Sequence, residues 1–295
     1  MKTGLSLLII LILLPYVAVV FRTGNMNGLS AEQKEPGLEE FVAGILPGQM
    51  PVTYEEEALK VQAVIVRTNL LKKSMEYYQT EDIRQAEEAI QEKDLEDMGF
   101  AYYSPEKLED LWGYEQWEHY ADKIQKAAEA TSGEILTWEG KPVELPYHAV
   151  SAGRTRDGAV LGEAYSYLEA VECPGDLEAA DYLKIEIFPS DHFSEEGTTE
   201  ELLPEAAKRD ESGYVIEVRL GDEILGGEEF RDRYGLNSSC FTIERVEEGI
   251  RITTKGLGHG LGLSMYQANR QALEGKTYLE ILSYFYKNVE CISLS

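Results

Sequence analysis

The chain predicts an α+β fold, a mixed sheet covered by helices, preceded by an N-terminal transmembrane helix. Three observations carry this expectation. Apolar residues recur at helical spacing in the first half of the folded part, as in Leu59, Ala63, Val66 and Leu70. From Gly133 onward, short runs rich in β-formers alternate with turn signals. Near the C-terminus a glycine run, Gly256 to Gly262, leads into two segments that open with helix-capping residues. Strand order does not follow from these patterns.

The anchor is read from Gly4 to Phe21, an uncharged run of Leu, Ile and Val between Lys2 and Arg22. At about 1.5 Å per residue it is long enough to cross a membrane core. No small-x-small cleavage site fits, Ala18-Val19-Val20 included, so an uncleaved anchor over residues 1–24 is expected rather than a signal peptide. Residues 25–37 are polar, end in Pro36-Gly37 and read as a linker. The folded domain is expected over 38–295, with 73–132 as a helical, insertion-like segment.

Composition narrows the partners. The net charge is −27 over 295 residues, which repels phosphate backbones and argues against nucleic acid as a partner. Most of those charges read as solvation. Cys173, Cys240 and Cys291 contain no CxxC pair and allow at most one disulfide. The histidines, at 119, 148, 192 and 259, show no metal-ligand spacing, and neither a metal nor a cofactor is expected.

In chain order, the stretch from Leu38 reads as a short helix, Pro47-Gly48 as a turn, and Thr53 with Glu56 as the cap of a second helix. Helices are expected over Glu81 to Met98 and Tyr114 to Ala130. Trp112, Trp117 and Tyr120 suit either a sugar-stacking platform or packing beneath those helices. Ile135 to Trp138, a turn at Glu139-Gly140 and Pro142 to Leu145 form a hairpin leading into YHAVSAGRT at 147–155. Leu183, Ile185 and Ile187 alternate with Lys184 and Glu186 as a half-buried strand, and Val215 to Leu220 is another. The chain then reaches the glycine run, Gly256 to Gly262.

That run places His259 between Gly258 and Gly260, where missing Cβ atoms permit positive φ and close approach. It is neither a phosphate-binding GxxxxGK[ST] nor a GxGxxG, and the chain carries no GxSxG or HExxH. Ser264 with Gln267, and Thr277 with Glu280, have the form of capping boxes.

Two stretches together resemble the SpoIID/LytB family, the stage II sporulation protein D and amidase enhancer proteins. Leu38, Glu39, Glu40, Val42, Gly44, Met50 and Pro51, then Glu57 to Lys60, Gln62 to Val64, Arg67 and Thr68 fall on the family's first motif. Gly258, His259, Gly260, Gly262, Ser264, Tyr266, Ala268, Glu274 to Lys276, Tyr278 and Glu280 to Leu282 fall on its last. Between them, Tyr147, Ser151, Gly153 and Thr155 approximate a third element, and the resemblance implies a short helix over Phe230 to Gly235 and a hairpin, Cys240 to Arg245 and Ile250 to Thr254 about Glu248-Gly249.

The resemblance implies a lytic transglycosylase of sporulation that acts on peptide-stripped glycan strands, with no cofactor. One carboxyl there protonates the glycosidic oxygen and accepts the proton of the sugar 6-hydroxyl as an anhydro ring closes. At that position this chain has Gln49, which has no titratable proton near neutral pH, and Met265 replaces a family glutamine. Catalysis is therefore left open, against a glycan-binding pseudoenzyme or a regulator of a partner cell-wall amidase. Glu55, Glu56 and Glu57 are the nearest alternative carboxylates, and they read better as a helix start. The resemblance implies that Arg67, Ser151, His259, Ser264 and Tyr266 orient the sugar. Arg67 paired with a carboxylate, Ser151 in a turn, or His259 holding its loop closed are the alternatives. The family places the domain on the extracytoplasmic side of the cell membrane, among glycan strands and engulfment proteins.

Overall fold

In the computed structural model, residues 36–193 and 202–294 are described. The expected anchor, residues 4–21, lies outside them. No helix among the described residues is long and apolar enough to cross a membrane.

Helix α1 (Leu38–Ile45) buries Phe41, Val42 and Ile45, then tightens into a 3-10 turn at Leu46–Gly48. Helix α2 (Glu56–Tyr77) is the central element, buried on Leu59, Ala63, Val66 and Leu70 as expected and also on Val61, Val64 and Ile65. An apolar surface on every side marks a helix enclosed by others. The Thr53–Glu56 cap does not form. The helix starts at Glu56 after an extended Glu55, because residues 51–54 close their own turn, Tyr54 N–H to Pro51 O at 3.0 Å. Lys123 pins that turn by donating to Val52 O at 3.0 Å.

Of the two helices expected in the insertion-like segment, α5 (Tyr114–Ala130) forms over the expected residues. The other breaks. Helix α3 (Ile83–Ala89), capped by Asp82, ends at an extended Ile90, and a 3-10 turn follows at Glu92–Asp94. Turning there buries Ile90, Leu95 and Met98 together, which a straight helix would spread around its surface. A further helix, α4 (Pro105–Trp112), starts from a Ser104 cap with proline in its first turn. Trp112 and Tyr120 meet edge to face at 5.3 Å and pack against the core, so of the two roles open to them they take packing.

The strands form four small sheets among the described residues rather than one mixed sheet. Strand β1 (Glu134–Trp138) lies between β2 (Lys141–Pro142) and β11 (Glu290–Ser293), both antiparallel. The expected turn between β1 and β2 holds Glu139 at φ 52° and Gly140 at φ 77°. Strand β3 (Tyr147–His148) pairs in parallel with β10 (Leu263–Ser264). Strand β9 (Gly249–Lys255) runs between β4 (Leu183–Phe188) and β8 (Phe241–Val246). Strand β6 (Val215–Leu220) lies between β5 (Glu205–Arg209) and β7 (Glu223–Gly226), followed by α6 (Gly227–Arg233). Helices α7 (Met265–Leu273) and α8 (Tyr278–Phe285) begin at the two expected caps. One hydrophobic core surrounds α2, and a second fills the space among β6, β8, β9 and α6.

Strand β4 forms where expected with its faces exchanged. Leu183, Ile185 and Ile187 are 52%, 57% and 51% exposed. The register explains why: Lys184, Glu186 and Phe188 lie opposite Thr254, Ile252 and Ile250, which are fully buried. The core face of β9 thus dictates the face of β4.

Candidate functional site

The glycine run leaves the end of β9, the middle strand of its sheet, and folds back against the chain's own backbone. Leu257 N–H and O bridge Val150 at 2.7 and 3.1 Å, and Gly258 N–H donates to Asn237 O at 2.8 Å. Arg156 N–H reaches Gly260 O at 2.7 Å. All four glycines have positive φ, as the spacing suggests. Close approach is needed at all four and is tightest at two. A Cβ on Gly260 would stand 2.3 Å from the Tyr214 ring, and one on Gly262 would stand 2.0 Å from Pro146 O.

His259 sits on this loop, mostly buried, with Nδ1 accepting from Leu261 N–H at 3.0 Å. In the neutral ring the proton is therefore on Nε2. His148 lies beside it, ring centroids 5.7 Å apart, and its Nδ1 donates to Leu261 O at 3.1 Å. One residue, Leu261, thus sets both tautomers, through its N–H and its carbonyl. His148 is 4% exposed and its Nε2 has no partner among the described residues.

Burial, then the neighbouring His259, pushes His148 down to about 3, and burial also lowers His259. An unfolded histidine titrates near about 6.5, so between these values the unfolded chain binds more protons, and stability falls as pH falls. For His148 the loss is about 1.4 kcal/mol per pH unit below about 6.5. Denaturant unfolding at pH 7 and pH 5.5 should show this slope reduced by that amount in His148→Gln. An unchanged slope would place the acid lability elsewhere.

Tyr147, next to His148, points its hydroxyl at Gln49, donating to Oε1. Burial pushes Tyr147 up to about 12, so it stays a donor. Gln49 follows the 3-10 turn after α1, half-buried. Tyr147 and His259 share a cavity of about 510 Å³ with Asn69, Lys72 and Lys73 of α2, Phe100 and Glu144. That size lies within the range of about 300–1,000 Å³ common for ligand clefts.

The remaining sequence-marked residues are not among those lining this cavity. Arg67 is fully buried, paired with Glu39 (2.9 Å from Nε) and donating to Glu134 O and Ala128 O, each at 3.1 Å. Its guanidinium leaves no face for a sugar. Ser151 and Ser264 are both buried on Asp176, which accepts from Ser151 N–H at 2.7 Å and Ser264 Oγ at 2.9 Å. Burial raises Asp176. Tyr266, half-buried in the first turn of α7, neighbours Tyr54, whose hydroxyl is raised by burial and then by Tyr266. Glu55, Glu56 and Glu57 line a different cavity with His119 and Asp122, and Glu57 accepts from Tyr278 N–H at 2.7 Å. Cys173, Cys240 and Cys291 are all free.

The site also depends on residues with no marker in the sequence. Arg156 donates to Asp210 and Glu228 at 2.7 Å each and to His259 O at 3.3 Å, and lies over the Tyr214 ring at 5.1 Å. It braces the His259 loop from behind. Tyr147 and His148 stand in a recognisable stretch, YHAVSAGRT, yet nothing in that stretch points to Gln49.

The family model of the stage II sporulation protein, SpoIID, matches residues 28–138. Stage II sporulation protein D of Bacillus subtilis is 30% identical over 285 residues, covering 94% of this chain and 79% of that protein. Its counterpart in Bacillus amyloliquefaciens is 31% identical over 291 residues, covering 94% and 78%. The amidase enhancer of Bacillus subtilis is more distant, 24% identical, covering 82% of this chain and 39% of that protein. With this identity over nearly the whole chain, and with the glycine loop folded against the element that reaches Gln49, the chain belongs to the stage II sporulation protein D family.

Proposed function

We propose that the chain binds peptidoglycan glycan strands in the groove of Tyr147 and His259, as a wall-remodelling protein of sporulation held to the cell membrane by residues 4–21. The domain then stands on the extracytoplasmic side. The observation that carries this reading is that Tyr147, whose hydroxyl donates to Gln49, lines a groove together with His259. It joins the position of the family's acid to the glycine loop, 98 residues of chain separating Gln49 from Tyr147.

The groove offers what a sugar needs. The lysines and the second amide hydrogen of Asn69 are donors, Glu144 accepts, Phe100 supplies an apolar wall, and His259 lines the cavity with its ring bonded to the Tyr147 backbone. Lytic transglycosylation further requires one group that gives and takes a proton. The Gln49 amide hydrogen-bonds a hydroxyl and moves no proton near neutral pH. Binding without appreciable cleavage is the consequence.

Retention of the purified chain on peptide-stripped glycan strands tests this. Tyr147→Phe and His259→Ala should each weaken retention about three- to tenfold, the worth of one hydrogen bond. No retention of the unmodified chain would overturn the reading. A second reading, regulation of a partner amidase by protein contact, is favoured by the similarity to an amidase enhancer, and that result would advance it.

A further inference from the structure

We infer that Lys72 and Lys73 form a carboxylate subsite in this groove, the residues by which the chain reads the free carboxylates of a peptide-stripped glycan. The inference rests on the glycan-binding reading above and specifies which residues read the charge of that glycan. On muramic acid such a carboxylate is the lactyl group left when the peptide is removed.

Asn69, Lys72 and Lys73 are spaced i, i+3, i+4 on α2, one helical face, and all three line the cavity. The local charge runs against the chain as a whole. With 54 acidic and 27 basic residues, a random patch would be acidic, yet the groove lining holds two lysines against one carboxylate, Glu144, and the charges balance once Glu76, which pairs with both lysines from outside that lining, is counted. Glu144 is partly occupied already, accepting from the Tyr165 hydroxyl at 3.0 Å.

The two ammonium groups also converge. Glu76, on the next turn, accepts from Lys72 through one oxygen and faces Lys73 through the other at 3.7 Å. One carboxylate, itself outside the cavity lining, is thus shared between two lysines that line it. The Glu76 side chain is 53% exposed, and an exposed ion pair of this kind exchanges readily for another carboxylate. Phe100 and Pro146 on the cavity wall supply apolar surface for sugar CH groups.

The test compares peptide-free glycan strands with the same strands after amidation of their carboxylates, so that only charge differs. The unmodified chain should bind the acidic strands about fivefold or more tighter at low salt, and the preference should shrink at high salt. Lys72→Gln with Lys73→Gln should abolish the preference while leaving binding of the amidated strands. Glu76→Gln, which frees both ammonium groups, should increase it. Equal binding of the two strands by the unmodified chain, or a preference that survives loss of both lysines, overturns the subsite and leaves the glycan reading standing. Failure of both strands to bind overturns the glycan reading itself, and the subsite with it.

Discussion

Gln49→Glu is expected to release anhydro-ended products from peptide-stripped glycan strands about 10²- to 10⁴-fold faster than the unmodified chain, the usual worth of a positioned general acid/base. The exchange is nearly isosteric, and Tyr147, held protonated by burial, donates to a carboxylate as it does to the amide oxygen. His259 is kept neutral by burial and adds no competing cation beside the groove. A carboxyl restored there regains both halves of the proton transfer without other repair. Chromatography and mass analysis of the products check this. Equal rates from both forms would show that cleavage, if present, depends on a carboxylate elsewhere.

Arg67→Ala is expected to destabilise the fold by about 3 kcal/mol or more, since removing one partner of a buried ion pair strands the other. Glu39 would lose its guanidinium, and the carbonyls of Ala128 and Glu134 would lose a donor. The Glu39 carboxylate is 24% exposed, so water recovers part of its solvation and the loss sits at the lower end of the range for such pairs. Urea unfolding of the variant measures it. Arg67→Met with Glu39→Leu, which removes both charges, should recover much of the loss. A variant of unchanged stability that no longer binds glycan would return Arg67 to the substrate side.

Local rules account for much of the fold. The Ser264 and Thr277 caps, the positive φ of Glu139 and Gly140, and the paired strands around Gly249 depend on neighbours within a few residues, and each forms where the sequence puts it. What escapes local reading is set at long range. The face of β4 depends on its register with β9, the break at Ile90 on a core shared with α2, and the missing Thr53 cap on a lysine in α5.

The site divides the same way. Gln49 and His259 stand out through their motifs, whereas Arg67, Ser151 and Ser264 share those motifs and are buried in polar networks. A motif marks residues that must not change, and burial separates those that touch a ligand from those that hold the frame. The link between Tyr147 and Gln49 exists only once the fold closes.

The exchanged faces of β4 give the chain's acidity a purpose. An outer strand with Leu183, Ile185 and Ile187 turned to solvent is a template on which a second molecule could add its own strand, the first step of aggregation. At neutral pH, copies each carrying −27 charges repel one another and the template stays unused. Near the isoelectric point of about 4.5 that repulsion disappears, and colloidal stability should fail before the hydrophobic cores do.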